Sequence, residues 1–360
     1  MYRDITVAGF RCFERFALRG LVPVNLLVGS NNSGKTSLLE AIGLMTSGGD
    51  WRFLSNILTR RGELAWQESS RSGVRRPVQT PRVKHLFWGH DPLGSAIVIE
   101  GSSQSGRHES LRLSVEVQDQ RQLFDSAEER LFFKVAWRNG EPQHYEVPVL
   151  ESGELDPDWR RSRSTLLLED VSFVTTAALG QSEVARLASS IQLTAEEGQA
   201  LEALRIVEPK AEAFRPLPPQ SPFGDYHSRE GIIVRLEGAA QPVPIGSLGD
   251  GAWRILGLAL SLAGASGKVL LVDEIDTGLH YSVMVDMWRM MLASAQRLNV
   301  QVFATTHSRD CIEALATLAE ELGPAEELVG IHRIDKEQHE STAYSQSEIV
   351  AAAARGIEVR

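Results

Sequence analysis

The sequence predicts an α/β fold in which buried parallel strands end in loops that lead into helices. Val24–Val28 is a short apolar run before a glycine-rich loop, and Ser37–Leu44 then carries apolar residues at helical spacing. Val269–Val272 is a continuous apolar run with β-branched members, which is typical of a parallel strand covered on both faces. A predicted helix from about Leu279 to Leu298 separates it from a further buried strand, Val300–Thr305. Both ends of the chain thus alternate strand and helix.

The middle of the chain, roughly residues 60–235, has the pattern of a mostly β insertion. Five short runs there are predicted as strands separated by Gly, Asp or Asn turns: Val83–Trp88, Ala96–Glu100, Leu111–Val117, Leu131–Trp137 and Tyr145–Leu150. Two helical stretches follow, the second opening at Thr194. We therefore predict that residues 1–60 and 225–360 form one unit and that residues 61–224 are an insertion, first β-rich and then helical.

Composition limits the class of protein. Of 360 residues, 42% are hydrophobic and 23% charged, which is ordinary for a globular protein. The longest apolar stretch, around Ile255–Ala265, is far shorter than the roughly 20 residues of a membrane span. No signal peptide is visible, and two cysteines cannot make a disulfide framework. We expect a cytoplasmic protein without a membrane partner, in which Cys12 and Cys311 are small core residues.

One segment matches the pattern G-x-x-x-x-G-K-[ST] in full and lies between a predicted strand and a predicted helix. Its residues are Gly29, Ser30, Asn31, Asn32, Ser33, Gly34, Lys35 and Thr36. Glycines let backbone N–H groups turn inward around phosphate oxygens, and the N-terminus of the helix, which includes Ser37, adds partial positive charge. Lys35 would reach the β- and γ-phosphates, and the Thr36 hydroxyl would bind Mg²⁺. This P-loop, Gly29–Thr36, predicts nucleotide binding; the alternative is a chance glycine-rich loop.

Two acids and a histidine follow the later strands. Asp273 ends the apolar run and is placed to hold Mg²⁺, while Glu274 points differently and is placed to polarise an attacking water. His307 follows the next strand, which we expect to lie beside the Asp273 strand, so that the imidazole senses the γ-phosphate. The alternative is a histidine that only satisfies local hydrogen bonds. We expect the P-loop and the acids to meet at neighbouring strand ends.

These motifs together carry a family resemblance. Three parts of the sequence are similar to segments of the ABC-ATPase group: Phe10-Arg-Cys-Phe13 with the P-loop, Asp273-Glu-Ile-Asp-Thr-Gly-Leu-His280, and Ala304-Thr-Thr-His-Ser308. That group includes RecF-like proteins, chromosome-maintenance ATPases and the overcoming-lysogenization-defect (OLD) family. The chain most resembles the short OLD-type ATPases of bacterial defence and repair operons, over residues 1–45 and about 205–355.

The resemblance implies a P-loop NTPase of ABC type, with a mixed central sheet, a mostly β insertion and a helical signature subdomain. It also implies a homodimer that forms on ATP binding, in which a signature segment of one subunit covers the nucleotide of the other. The matching signature segment is Ser247–Arg254, where Gly249, Asp250 and Gly251 would offer N–H groups to the γ-phosphate. It departs from Leu-Ser-Gly-Gly-Gln, because glycine replaces the serine. Alone, this segment would be only a helix start.

Absent features narrow the function. Long heptads are missing, which argues against a long coiled-coil arm. Only about fifty residues follow His307, too few for the C-terminal TOPRIM nuclease domain of the OLD nucleases. The guanine-reading Asn-Lys-x-Asp pattern does not occur, which favours ATP over GTP. We therefore expect an ATPase in genome defence or repair that gates a separately encoded effector such as a nuclease.

Two rival classes stay open. The first is a DNA-binding repair ATPase without an effector. The net charge of −10 argues against a generally basic surface, but Trp51–Lys84 carries eight Lys/Arg against two acids, with Trp51, Phe53 and Trp66 interleaved. This basic segment could hold DNA phosphates and stack on bases, or be an ordinary solvated insertion. The second class is the ATP-binding subunit of a membrane transporter, which the signature segment Ser247–Arg254 and the D-loop in Asp273–His280 resemble less.

Overall fold

The computed structural model describes residues 1–69, 76–120, 128–139, 141–150, 152–155, 171–176, 179–217, 231–357 and 359. Its helices are α1 (Lys35–Thr46), α2 (Trp51–Arg60), α3 (Gln181–Ser190), α4 (Ala195–Arg205), α5 (Asp250–Gly264), α6 (Met284–Leu298), α7 (Arg309–Leu322) and α8 (Gln346–Ala354). None of these helices has the length and apolar character needed to cross a membrane.

The strands divide into an N-terminal and a C-terminal set. The first comprises β1 (Tyr2–Phe10), β2 (Phe13–Leu18), β3 (Val24–Val28), β4 (Leu64–Ser69), β5 (Arg76–Pro81), β6 (Ala96–Ser103), β7 (His108–Gln120), β8 (Glu128–Asn139) and β9 (Glu141–Val149). The second comprises β10 (Ser172–Val174), β11 (Ala211–Pro216), β12 (Ile232–Leu236), β13 (Val243–Pro244), β14 (Val269–Val272), β15 (Gln301–Thr305), β16 (Val329–Arg333) and β17 (Thr342–Tyr344).

The central sheet has the strand order β10-β14-β15-β3-β16-β17. All its strands are parallel except β17, which runs antiparallel to β16. Every residue of β3, β14 and β15 is buried, because helices and a second sheet cover both faces. The predicted mixed α/β fold is confirmed. The carboxyl ends of β14, β15, β3 and β16 lie at one edge, where parallel strands commonly place a ligand site.

The second sheet is antiparallel, in the order β2-β1-β6-β7-β8-β9. Its strands come from both sides of the predicted boundary at residue 60, since β1 pairs directly with β6 in the register Val7↔Ile99. Residues 111–117 of β7 and 131–137 of β8 pair in the same sheet. The division into residues 1–60 with 225–360 and an insertion at 61–224 stays a prediction.

Helix α1 lies between the two sheets. Leu38, Leu39 and Ile42 are fully buried in a cluster that also holds Ile97 of β6 and Phe303 of β15. All residues from Leu38 to Met45 are buried, so this helix is covered on every side rather than on one stripe. Burial of that kind fixes the first turn of α1, and therefore the P-loop before it, relative to both sheets.

The other face of the central sheet packs against α3 and α4 to α8. The predicted stripe on α6 is confirmed as core, because Met284, Met287, Trp288 and Met291 are buried. The predicted start of this helix at Leu279 is wrong. Tyr281–Val283 form a 3₁₀ turn instead, which the His280 side chain caps by accepting from the Ser282 N–H, and α6 begins after that turn.

The predicted strand Val83–Trp88 is also wrong. The chain there forms two short 3₁₀ turns, Val83–Leu86 and Trp88–His90, and Gly89 within the second turn has a left-handed φ of 69°. Val83, Leu86 and Phe87 are fully buried, so the apolar run anchors a loop to the core between the sheets. Continuous apolar runs do not separate a buried loop from a strand.

Candidate functional site

The P-loop follows β3 and leads directly into α1. Gly29 and Gly34 adopt left-handed φ values of 143° and 101°, which favour glycine. A Cβ on Gly34 would lie 2.3 Å from the Phe13 ring, and one on Gly29 would lie 2.4 Å from the carbonyl oxygen of Ile334. Both glycines are therefore required by backbone conformation and by space. Asn32 also has a positive φ of 62°.

Lys35, the first residue of α1, is 5% exposed. Its Nζ donates to the carbonyl oxygens of Gly29 and Ser30, each at 2.8 Å. Burial lowers the pKa of the Lys35 ammonium, and the negative charges of Asp273 and Glu274 oppose that shift. The lysine therefore lies at the centre of the P-loop, within the electrostatic field of both predicted acids.

The P-loop and the predicted magnesium ligand meet at the edge of the central sheet. The Thr36 hydroxyl donates to Asp273, with Oγ1 to Oδ1 at 3.2 Å, although the two residues are 237 positions apart. The expectation that their strands are neighbours is wrong, because β15 lies between β3 and β14. The contact between Thr36, in the first turn of α1, and Asp273, after β14, therefore reaches across the width of β15.

The middle strand contributes Thr305, which the sequence analysis did not identify. Its hydroxyl donates to Asp273 Oδ1 at 2.7 Å and accepts from the Glu274 N–H at 2.8 Å. Glu274 has a left-handed φ of 46°, a conformation that costs about 1–2 kcal/mol for a non-glycine residue. Thr305 thus orients one acid through its carboxylate and holds the other through its backbone.

Glu274 and His307 lie close together, because β14 and β15 are neighbours in the sheet, as predicted. The distance from Glu274 Oε1 to His307 Nε2 is 4.0 Å, and both side chains are about two-fifths exposed, at 43% and 39%. His307 also lines a cavity of about 440 Å³ with Ser30 and Asn31 of the P-loop. The carboxylate, the imidazole and the start of the P-loop therefore face one open space at the sheet edge.

Arg254 was included in the predicted signature segment without a role, and it has one. It is 3% exposed and donates to four carbonyl oxygens that belong to Thr175, Asp273, Glu274 and Ile275. Burial lowers its pKa to about 10, so it stays charged at neutral pH. In the sequence, Arg254 is a charged residue within a mostly apolar helix. Such a residue is rarely buried without partners, so this pattern could have identified it.

The rest of the signature segment lies at the start of α5. Gly249 is the N-cap residue with a φ of 88°, and Asp250 and Gly251 begin the helix. Asp250 packs against Gly278, since a Cβ on Gly278 would lie 3.2 Å from the Asp250 Cβ. These three residues are not among the described residues that line the cavity beside the P-loop. Arg254 is what connects this helix to the acids.

Two polar residues and Cys12 complete the surroundings of the P-loop. Ser33 and Ser37 are buried, at 3% and 6% exposed. The prediction that Cys12 is a core residue is wrong, because it is exposed, whereas Cys311 is buried as expected. The Cys12 sulfur lies so close to the P-loop that a Cβ on Gly34 would be 2.9 Å from it. Partial burial raises the pKa of this thiol, and a hydrogen bond with Ser37 opposes the shift.

The basic segment is not a row of free cations. Its first part is α2, and several of its arginines pair with acids of the chain: Arg52 with Asp50, Arg61 with Glu40, and Arg82 with Glu154. Residues 70–75 of this segment, including two arginines, lie outside the described residues. Trp66 is 70% exposed. The pairs reduce the positive charge available to phosphates, while the tryptophan remains open to solvent.

Comparison with known proteins decides the family. A family model described as "AAA domain, putative AbiEii toxin, Type IV TA system" matches residues 86–310, more than half of the chain. The chain belongs to this AAA family. A second model, described as "AAA ATPase domain", matches residues 1–73 and so includes the P-loop.

Individual relatives of this AAA-family chain are distant. A curated protein of Helicobacter pylori named "ATP/GTP phosphatase" is 20% identical over 350 residues, covering 88% of this chain and 87% of that protein. Among solved structures, the SMC head domain from Thermotoga maritima is 15% identical, with a TM-score of 0.42 and coverage of 96% and 98%. A Pyrococcus furiosus Smc head domain with an extended coiled coil, bound to the C-terminal domain of ScpA, is 11% identical, with a TM-score of 0.46 and coverage of 98% and 99%.

The AAA-family chain is an ATPase with an ABC-like P-loop fold, as the family matches and the curated relative show. They do not single out the OLD group among such ATPases. The two matched ranges together include the P-loop, the acids at 273 and 274, and His307.

Proposed function

We propose that this chain binds ATP with Mg²⁺ at the P-loop and hydrolyses it with Glu274 as the general base. In this proposal Lys35 binds the β- and γ-phosphates, Thr36 and Asp273 hold Mg²⁺, and His307 senses the γ-phosphate. The observation that carries it is the 3.2 Å contact between the Thr36 hydroxyl and the Asp273 carboxylate. That contact joins the phosphate loop to the acids at one sheet edge.

The donor set suits magnesium. Mg²⁺ prefers hard oxygen ligands and is commonly held by one or two protein groups together with substrate phosphates. Thr36 offers a hydroxyl oxygen, and Asp273 offers carboxylate oxygens that Thr305 already orients. When bound, the ion would neutralise charge that develops on the phosphate oxygens. Asp273 and Thr36 would hold it beside the P-loop.

Glu274 is the residue best placed to take a proton from water. Its carboxylate is partly exposed and close to His307, whereas Asp273 is engaged with two hydroxyls. The left-handed backbone at Glu274 makes consecutive acids face different partners. Thus one acid would serve the metal and the next the water, with the imidazole positioned near the departing γ-phosphate.

We further propose that ATP binding produces a head-to-head homodimer. Gly249, Asp250 and Gly251 lie at a helix N-terminus, where backbone N–H groups favour a phosphate. They are not among the described residues lining this chain's own cavity, so a partner's γ-phosphate is their natural target. Arg254 would then transmit that contact to the acids, because it holds their carbonyl oxygens.

The biological role we propose is genome defence or DNA repair in bacteria, within the OLD group, with the ATPase gating a separately encoded effector such as a nuclease. The OLD-like motifs support it, and so does the family description, which includes a toxin–antitoxin system. The purified chain should therefore fail to cut DNA with added Mg²⁺ or Mn²⁺. Metal-dependent cleavage by the chain alone would contradict this division of labour.

A DNA-binding repair ATPase without an effector is the second candidate, and the exposed Trp66 favours it. Such a protein would show DNA-stimulated ATP turnover. Its DNA affinity would fall steeply with salt, because each phosphate contact releases counterions. Replacing Trp66 with alanine should weaken single-stranded DNA binding, since stacking contributes about 1–3 kcal/mol per base. Unchanged turnover with DNA at low salt would exclude this candidate.

Nucleotide binding should protect Cys12 from alkylation. Its thiol borders Gly34 and Ser37, where the α- and β-phosphates would lie. With MgATP at about ten times its Kd, maleimide labelling of Cys12 should slow about tenfold, because only the free protein reacts. Mass spectrometry at matched reaction times would measure the rate.

Two controls make the labelling specific. Cys311 is buried, and burial raises the pKa of its thiol, so it should stay unlabelled in the folded protein. The Lys35→Ala variant should label at the unprotected rate with or without ATP. Equal labelling of the wild-type chain with and without saturating MgATP would contradict nucleotide binding at the P-loop.

A further inference from the structure

The cavity beside the P-loop has a wall that no predicted motif includes. The described residues around this space of about 440 Å³ are Gly29, Ser30, Asn31, His307, Arg333, Ile334 and Asp335. His307 follows β15 on one side of β3, and Arg333 ends β16 on the other side. Two side chains that can carry positive charge therefore flank the start of the P-loop.

Backbone contacts fix the position of Arg333 relative to the P-loop. In the parallel register Arg333 lies opposite Val28, the last residue before Gly29. The Ile334 N–H donates to the Val28 carbonyl oxygen at 2.8 Å. The Ile334 carbonyl oxygen lies so close to Gly29 that any side chain there would clash with it, at 2.4 Å. The residue after Arg333 is thus seated directly on the phosphate loop.

The positive charge of Arg333 is available to a ligand, whereas the carboxylate of Asp335 is engaged in a local turn. Its side chain is exposed, and within the described ranges its guanidinium makes no ion pair or side-chain hydrogen bond. Asp335 lines the same wall, but its carboxylate accepts from the Glu337 N–H at 3.0 Å and so closes a local turn. An exposed guanidinium at a strand end beside an anion-binding loop has the charge and the donor groups that suit a phosphate.

We propose that Arg333 binds the γ-phosphate of ATP from the same subunit, opposite His307. This inference rests on the proposed function of the P-loop. The γ-phosphate is assigned because the cavity borders Ser30, Asn31 and the proposed sensor His307, while the α- and β-phosphates belong near the first turn of α1. Arg333 would thereby distinguish ATP from ADP and stabilise charge on the transferred phosphoryl group.

The test compares ATP and ADP binding in Arg333→Ala. A lost charge-assisted contact should weaken MgATP binding about ten- to hundredfold, while the Kd for MgADP stays within about twofold. Turnover at saturating ATP should also fall, because the contact strengthens as charge develops. Arg333→Lys should restore part of the ATP affinity, since it keeps the charge without the planar fork. Titration calorimetry and a phosphate-release assay give both readouts.

Lys336→Ala is the matched control. Lys336 is a cation in the same turn as Asp335, but it does not line the cavity. The variant's ratio of ATP to ADP affinity should equal that of the wild type. An Arg333→Ala protein with the wild-type ratio, or a Lys336→Ala protein with an equal loss, would overturn the assignment of Arg333. Failure of the wild-type chain to bind either nucleotide would instead remove the proposed function on which it rests.

Discussion

Replacing Glu274 with glutamine should lower ATP turnover by about 10²–10⁴-fold while leaving ATP binding intact. The amide keeps the shape of the side chain but cannot accept a proton from the attacking water. Lys35, Thr36 and Asp273, which would hold the nucleotide and its metal, are unchanged. Initial rates of phosphate release and titration calorimetry with MgATP would measure the two effects separately.

The same variant tests the dimer. Because hydrolysis would no longer open it, the ATP-bound homodimer should accumulate and be visible by light scattering in MgATP but not in MgADP. Glu313→Gln is the matched control: it makes the same chemical change on the exposed surface of α7, where Glu313 pairs with Arg309. Undiminished hydrolysis in Glu274→Gln would remove Glu274 from its role.

Replacing Arg254 with alanine should destabilise the protein by about 3 kcal/mol, which is a large effect for a single substitution. Four carbonyl oxygens would lose a charged donor, and those of Asp273, Glu274 and Ile275 lie in the turn after β14. The left-handed backbone at Glu274 would lose one of its supports. We therefore expect reduced turnover as well, measured well below the unfolding midpoint.

The matched control for this variant is Arg205→Ala. Arg205 also lies on a helix and donates to a backbone carbonyl oxygen, that of Ala211, but it is partly exposed. Its loss should change the free energy of unfolding by less than about 1 kcal/mol. Arg254→Lys should fall between, because one ammonium cannot reach every carbonyl. Equal denaturant midpoints for Arg254→Ala and the wild type would contradict this role.

Local sequence signals were sufficient for the elements that carry the proposed site. The strand Val269–Val272 has the predicted bounds, because a short apolar run with β-branched residues has few alternatives when both faces are buried. Helix α1 was predicted from the spacing of Leu38, Leu39 and Ile42. The burial of every residue from Leu38 to Met45 was not predicted, since it depends on a second sheet that no local pattern indicates.

Long-range pairing limited the rest of the fold. Strand β6 was predicted, but its pairing with β1 joins residues about ninety positions apart, and alternating residues do not specify a partner. The apolar run Val83–Trp88 is a buried loop because Phe87 contacts the core and also bridges to Phe10. Tertiary contacts of this kind override local strand preference.

The residues of the site divide in the same way, into those that local motifs predict and those that only tertiary contacts identify. Lys35, Thr36, Asp273 and Glu274 belong to motifs whose spacing along the chain reports a shared chemistry. Thr305 acts through contacts with residues more than thirty positions away, so no local pattern distinguishes it from other threonines. Arg254 and Arg333 are identified by their surroundings, one by burial among carbonyl oxygens and one by exposure beside the P-loop.

A double-mutant cycle between Thr36 and Asp273 tests most directly whether two distant segments form one Mg²⁺·ATP site. The free energy of MgATP binding would be measured for the wild type, Thr36→Ala, Asp273→Asn and the double variant. We predict a coupling energy above about 1 kcal/mol, because both residues would hold the same ion, and a smaller coupling when ATP is titrated in EDTA. Effects that add to within about 0.5 kcal/mol in Mg²⁺ would contradict a shared metal site.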